Sequence, residues 1–129
     1  MIVIDASAVV EVLLLTPAGL ALGARLFEQP SMLHAPELLD VEVAQIVRHY
    51  ERLGDLSADR GERVIEDLSD LPIERYGHRP LLPRIWELRS NLTAYDAAYV
   101  ALAEALDATF LTRDARLARG PHRARVEVV

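Results

Sequence analysis

Hydrophobic residues occur along the chain in two patterns, short continuous runs and longer amphipathic segments. The run from Ile2 to Ile4, inside MIVID, is consecutive and mostly β-branched, which is typical of a short strand buried on both faces. Further strands are predicted at 32–35, 73–76, 109–112 and 126–129. Helical segments separate these runs, so we expect an α/β domain whose mainly parallel sheet of four to five strands is covered on both faces.

Capping residues and prolines indicate where the helices begin and end. Ser7 is expected to cap a helix that runs to Leu15. Pro36 suits the first position of a helix that ends near Leu53, where Gly54 stops it. The other helical segments are predicted at 18–27, 57–71, 82–90, 93–104 and 115–119.

Length and composition favour one domain over residues 1–129. The chain has 51% hydrophobic residues, yet no apolar run approaches the ~18 residues of a membrane-spanning helix. The first strand is predicted directly after Met1, so no signal peptide is expected. Cysteine is absent, so disulfides and thiolate metal sites are excluded, and a cytoplasmic protein without membrane contact is expected.

The charge of the chain restricts its possible functions. A net charge of −6 disfavours a protein that holds nucleic acid by general electrostatics, so a polyanion would need a local attraction. All 14 basic residues are arginine. The absence of lysine excludes Walker-type phosphate binding and Schiff-base chemistry.

Three acids are predicted at places where a strand ends or a helix begins. Asp5 follows the first strand, and Asp114 follows the strand at 109–112. Ligands gather beyond the carboxyl ends of parallel strands, where both acids would lie. Asp96 is in the first turn of the helix at 93–104, which is otherwise mainly apolar. A structural interpretation is also open, because such acids serve as helix caps, and Thr93 and Asp96 have the spacing of a capping box.

A fourth acid, Glu42, lies within an apolar stripe of the helix that follows Pro36. Its structural interpretation is a carboxylate at the edge of the core, paired with an arginine such as Arg48 or Arg84. The structural interpretations of the four acids are independent of one another, whereas a shared site explains all four together.

Four carboxylates at one edge of a sheet would repel one another. Two unit charges ~4 Å apart repel by about 4 kcal/mol at an effective dielectric constant of ~20. Such a cluster must bind protons or a cation, and oxygen ligands alone favour Mg²⁺ or Mn²⁺. Bound divalent ions would promote phosphodiester hydrolysis and attract a phosphate, to which Arg113 could add a contact. The four histidines have no metal-ligand spacing and are expected to be structural or exposed: His34, His49, His78 and His122.

These motifs resemble the PIN-domain ribonucleases, most closely the VapC-type toxins of bacterial toxin–antitoxin pairs. The resemblance rests on MIVIDASAVVE, APELLDVEVAQIVRH, LTAYDAAYVALAEAL and FLTRDARLA, which span essentially the whole chain. It implies a three-layer α/β/α fold and a Mg²⁺ or Mn²⁺ site formed by Asp5, Glu42, Asp96 and Asp114. Glu42 would be a further ligand or would orient the attacking water, and Thr112 matches a hydroxyl residue just before the last acid.

The resemblance also implies a function and partners. We expect hydrolysis of RNA, inhibition by a cognate VapB-type antitoxin, and assembly as a homodimer or a toxin–antitoxin hetero-oligomer. Asp5 and Asp96 are expected to bind the metal directly, and Asp114 to complete the site or to reach it through water. Ser7 and Thr112 are expected to hydrogen-bond these carboxylates.

Two other classes of protein remain open from the sequence. A metal-dependent phosphohydrolase with an aspartyl nucleophile would share Asp5, but it usually needs a second acid where this chain has Ser7, and it needs a lysine. A phospho-acceptor receiver domain lacks support because it needs a lysine as well. A non-catalytic α/β binding module, in which the acids are only caps, predicts that Asp5→Asn leaves metal binding and RNA cleavage unchanged.

Overall fold

The computed structural model describes residues 1–28 and 32–129. Its five strands are β1 (Ile2–Ile4), β2 (Leu33–Pro36), β3 (Ile73–Tyr76), β4 (Thr109–Thr112) and β5 (Arg125–Val128). Its six α-helices are α1 (Ala6–Leu13), α2 (Pro17–Glu28), α3 (Leu38–Leu53), α4 (Ala58–Asp70), α5 (Leu82–Glu87) and α6 (Ala94–Leu106). Two short 3₁₀ helices cover Arg79–Leu81 and Ala115–Ala118.

The strands form one parallel sheet in the order β3-β2-β1-β4-β5. The expected α/β class with a mainly parallel sheet is therefore confirmed. β1 is central and pairs with β2 on one side and β4 on the other. Ile4 lies opposite Leu111, so the residues after β1 and β4 leave the sheet side by side. This register brings Asp5 next to the end of β4.

Helices cover both faces of the sheet, as a three-layer fold requires. On one face, α1 contacts β4, and α2 packs on α1. On the other face, α6 contacts β1, β2 and β4, and its ring of Tyr99 stacks on Phe110. Most of the buried positions of α6 are small, including Ala97, which lets the helix lie close to the strands. The core therefore fixes the start of α6 at the same edge as the ends of β1 and β4.

Two predicted helix starts are wrong, and both errors have a local cause. Asp5, not Ser7, caps α1, because its carboxylate accepts the N–H of Ala8 (3.1 Å). Pro36 is the last residue of β2 rather than the first residue of α3, because it pairs in register with Tyr76 of β3. Pairing between strands therefore decides the start of α3.

Of the other predicted helix boundaries, two agree with the structure and two helices end early, one of them α1, which ends at Leu13 rather than Leu15. Gly54 ends α3 in the left-handed conformation (φ 81°), and Ser57 caps α4. The helix expected at 82–90 ends earlier, at Glu87. Among the described residues no single helix is long and apolar enough to cross a membrane; α1 and α2 meet that test only as a pair, and the pair is bent by 98°.

Candidate active site

Asp5 is the most enclosed of the four candidate acids, with 8% of its surface exposed. Its Oδ1 accepts hydrogen bonds from the Ser7 hydroxyl (2.6 Å) and the Ala8 N–H (3.1 Å), and its Oδ2 accepts one from the Thr112 hydroxyl. Burial raises the pKa of Asp5, the three donors oppose that shift, and the negative charge of Asp96 adds to it. Asp5 is therefore a fixed carboxylate in a site with excess negative charge.

Two hydroxyl groups connect the ends of β1 and β4. The Thr112 side chain is fully buried, and its Oγ1 also accepts the N–H of Asp114 (3.0 Å). The Ser7 Oγ accepts the N–H of Arg113 (3.1 Å). Both hydroxyls bind Asp5, as expected, and they also hold the loop after β4 against it.

Asp96 is half-buried in the first turn of α6. Its N–H donates to Oγ1 of Thr93 (3.2 Å), so the predicted threonine cap is confirmed. Burial is the main cause that raises the pKa of Asp96, and repulsion from Asp114 adds to it, while Thr93 and the charge of Arg116 oppose it. The cap therefore fixes the helix start that carries this carboxylate.

Glu42 is half-buried on α3 and binds a tyrosine rather than an arginine. Its Oε1 accepts a hydrogen bond from the Tyr99 hydroxyl (2.7 Å). Arg84, one of its two suggested partners, instead binds Glu104 of α6. Burial raises the pKa of Glu42, and the charges of Asp96 and Asp5 add to that shift while Tyr99 opposes it. The ion-pair interpretation of Glu42 is therefore wrong, and the charges that act on Glu42 are those of the other two acids.

Tyr99 is a site residue that sequence reasoning missed. It is 2% exposed, and its ring lies parallel to that of Phe110 with centroids 5.8 Å apart. Burial and the bond to Glu42 raise the pKa of Tyr99. Two signals were present in the sequence: Tyr99 is three residues after Asp96 and so shares its helix face, and a buried tyrosine hydroxyl usually needs a partner.

Asp114 differs from the other three acids because it forms an ion pair with an arginine side chain. Its carboxylate accepts from the guanidinium of Arg116 (2.6 Å from Nη2 to Oδ2), which lowers the pKa of Asp114. Its Oδ1 also accepts the N–H of Arg116 (3.0 Å) and so caps the 3₁₀ helix that follows. The capping role suggested by the sequence is present here.

Taken together, the structure brings the four acids to one edge of the sheet but does not draw them into a tight cluster. Asp5, Glu42 and Asp96 are coupled through their charges, and Asp114 is coupled to Asp96. No group of three or more acids or histidines in residues 1–28 and 32–129 has a metal-holding arrangement. Arg116 supplies positive charge at this edge, because it binds Asp114 and lowers the pKa of Asp96.

Among the described contacts the histidines bind none of the four acids, in agreement with their expected structural or exposed roles. His34 is buried and its Nδ1 lies 2.7 Å from the Tyr76 hydroxyl. His78 accepts the N–H of Leu38, and His122 lies 2.9 Å from the carbonyl oxygen of Leu117. His49 is exposed on α3.

Comparisons with known proteins match a PIN domain to residues 2–122. The chain is 42% identical, over 130 aligned residues, to Ribonuclease VapC12 of Mycobacterium tuberculosis, with 100% of this chain and 99% of that protein covered. Its fold is similar to PAE2754 from Pyrobaculum aerophilum (TM-score 0.72, 22% identity, 98% and 83% of the two chains). It is also similar to VapBC2 from Rickettsia felis (TM-score 0.71, 15% identity, 99% and 98%).

The matched region contains both strand ends and both helices that carry the four acids. The identity to the mycobacterial protein extends over the whole chain, so it is not confined to the core of a common fold. The chain therefore belongs to the PIN-domain family and, within that family, to the VapC proteins.

Proposed function

We propose that this VapC protein is a Mg²⁺- or Mn²⁺-dependent endoribonuclease and the toxin of a toxin–antitoxin pair. One observation carries the proposal: Asp5, Glu42 and Asp96 come from three different elements to the carboxyl edge of a parallel sheet, where burial, and after it the charge of Asp96, raises the pKa of both Asp5 and Glu42. A structural protein gains nothing from such repulsion, whereas a cation site requires it. The mycobacterial relative is named as a ribonuclease, which supports RNA as the substrate.

The chemistry of the side chains at this edge suits a hard divalent cation, although the acids are not drawn together around one point. All four acids offer oxygen ligands, which Mg²⁺ and Mn²⁺ prefer, and three of them have raised pKa values that a bound cation would lower again. Asp5 and Asp96 are the proposed direct ligands, with Asp114 and Glu42 completing the site. A cation would compete with Arg116 for Asp114, because that guanidinium binds the carboxylate in this structure.

The chain's own residues would orient the reaction. Ser7 and Thr112 hold the Asp5 carboxylate in one direction, and Tyr99 holds one oxygen of Glu42. The other oxygen of Glu42 is then available to orient a water molecule or to accept its proton. A bound divalent ion supplies activation of water and neutralisation of the phosphate.

A VapB-type antitoxin is the proposed protein partner. The similar structure from Rickettsia felis is described as VapBC2 bound to a DNA fragment from their promoter, which supports a paired protein for this chain as well. An apolar groove of about 260 Å³ between α1, α2 and the sheet has the exposed side chains Phe27 and Met32 at its margin, a surface suited to a protein partner. A homodimer or a hetero-oligomer, and a cytoplasmic location, are part of the same proposal.

The test compares wild type with Asp5→Asn, a replacement that keeps the shape of the side chain and removes its charge. We expect wild type to cleave single-stranded or structured RNA in Mg²⁺ or Mn²⁺, and EDTA to abolish cleavage. Asp5→Asn is expected to reduce cleavage by at least a hundredfold. A thermal shift with Mg²⁺ gives a second readout, because a ligand at 100 times its Kd stabilises the folded state by about 2.7 kcal/mol.

Arg63→Gln is the matched control, since Arg63 is an exposed residue of α4 that pairs only with its helix neighbour Asp67 among the described residues. It should cleave RNA and respond to Mg²⁺ like wild type. Cleavage that persists in both EDTA and Asp5→Asn would contradict the proposal. In that case cleavage does not use these acids, and they act as helix caps, as Asp5 and Asp114 do here. Wild type that cleaves no RNA in either metal would also contradict the proposal and would favour a non-catalytic binding module.

A further inference from the structure

A groove of about 460 Å³ opens directly beside the acidic edge, between α1, α3 and the loop after β4. Ser7 forms the boundary between the groove and the acids. Its hydroxyl donates to Asp5 on one side and accepts the N–H of Arg113, a residue that lines the groove, on the other. The groove is therefore continuous with the proposed reaction centre.

Residues at helical spacing give the groove its direction along α3. Glu42 faces the acids, Gln45 and Ile46 follow one turn later, and His49 follows after another turn. At 1.5 Å per residue, His49 lies about 10 Å along the helix axis from Glu42. The groove thus leads away from the acids for about the length that a neighbouring nucleotide needs.

The side chains in the groove offer contacts of three kinds. Arg113 supplies a positive charge: its guanidinium donates to the carbonyl oxygen of Val129 and forms a long ion pair (3.9 Å) with Glu11, an acid that also lines the groove. A phosphate would compete with Glu11 for this guanidinium. The rings of His49 and Tyr50 lie side by side, tilted by 40° with centroids 6.4 Å apart. The floor between them and α1 is apolar.

These contacts match the parts of a nucleotide better than those of a peptide. A guanidinium fits the oxygens of a phosphate, exposed rings stack on unpaired bases, and the Gln45 amide can both donate to and accept from a base edge. A peptide groove, in contrast, depends on apolar pockets, and only Val10 and Ile46 provide aliphatic lining among the described residues.

We propose that this groove binds the nucleotide next to the cleaved bond of single-stranded RNA, with Arg113 at the phosphate and His49 and Tyr50 at the base. The proposal rests on the proposed ribonuclease function. It assigns the protein a substrate subsite outside the acidic edge, and it predicts a preference for unpaired over paired RNA, because a base in a duplex cannot reach the rings.

Binding in EDTA tests the groove without cleavage. The probe is a short fluorescent single-stranded RNA, compared with its duplex by anisotropy, and a gel verifies that it stays intact. His49→Ala and Gln45→Ala, both at exposed helix positions, are expected to weaken binding of the single strand about tenfold. Arg113→Gln is expected to weaken it similarly and to reduce the slope of log affinity against log salt by about 0.7.

Arg63→Gln removes the same charge on α4, away from the groove, and should leave affinity unchanged apart from a small general effect. If the groove variants and wild type have equal affinity, including the case in which none binds, the proposal is wrong. If the groove variants lose binding to a protein partner and not to RNA, it is wrong as well.

The two proposals fail in distinguishable ways. If only the groove proposal is wrong, RNA cleavage still depends on metal and is still reduced by Asp5→Asn. The ribonuclease proposal is wrong if wild type cleaves no RNA, or if cleavage does not depend on metal or on Asp5, whatever the anisotropy gives.

Discussion

Replacing Thr112 by valine removes one hydroxyl from the centre of the acidic edge with little change of side-chain volume. The hydroxyl donates to Oδ2 of Asp5 and accepts the N–H of Asp114 (3.0 Å). Thr112 is fully buried, so water cannot replace either contact. The variant therefore tests whether this one group fixes the two carboxylates relative to each other.

The expected cost follows from the two hydrogen bonds. A bond to a charged group contributes about 1.5–3 kcal/mol, and one to a neutral N–H contributes about 0.5–1.5 kcal/mol. Burial of the extra methyl group returns about 0.8 kcal/mol. We expect Thr112→Val to lower the free energy of unfolding by about 2–3 kcal/mol at pH 7 and to reduce metal affinity or RNA cleavage 10- to 100-fold.

Thr112→Ser is the matched control, because it keeps the hydroxyl and loses only a buried methyl group, at a cost of about 1 kcal/mol. Urea unfolding followed by circular dichroism measures stability, and Mg²⁺-dependent cleavage measures activity. If valine and serine give equal activity at equal stability, the Thr112 hydroxyl does not position Asp5 and Asp114, and the reasoning is refuted.

Two further predictions concern the framework around the site. Gly19→Ala is expected to lower the free energy of unfolding by about 3 kcal/mol, because the new Cβ would lie 1.7 Å from the carbonyl oxygen of Glu11. Urea unfolding measures this change. Gly23→Ala, whose Cβ meets nothing closer than 3.9 Å, should stabilise slightly; equal effects would contradict this packing of α1 on α2. Glu104→Gln breaks the pair with Arg84, which lowers the pKa of Glu104, and should cost about 2 kcal/mol at pH 7. The stabilisation from the Glu104 carboxylate is fully present above its ordinary pKa of about 4.3 and is lost as pH falls through its lower pKa in the folded protein. The difference in free energy of unfolding between wild type and variant should therefore disappear in acid. A constant difference from pH 7 to pH 3 would contradict this prediction.

The elements of this fold were predictable because local patterns encode them. The buried run of β1, the glycine that ends α3 and the serine that caps α4 depend only on nearby residues. The positions of Asp5 and Asp114 after strands, and of Asp96 at a helix start, were also evident. Short-range patterns thus determined which acids could meet at one edge of a sheet.

The partners of those acids were decided by the tertiary structure. Glu42 binds Tyr99, 57 positions further along the chain, because α3 and α6 meet at this edge, and no local pattern contains that information. Pro36 is in a strand because β3 pairs with it. Asp5 takes the capping role expected of Ser7, since the Ser7 hydroxyl is used to connect Asp5 with the loop after β4.

The sequence by itself therefore determined the order of strands and helices, the candidate acids and the family. Only the tertiary structure decided the sheet order, the coupling of Asp5, Glu42 and Asp96 through their charges, and the binding of Asp114 to Arg116 instead. The physical reason is the distance along the chain over which each kind of interaction acts. Helix and strand preferences act over a few residues, whereas the charge and hydrogen bonds of a site depend on which distant segments the core brings together.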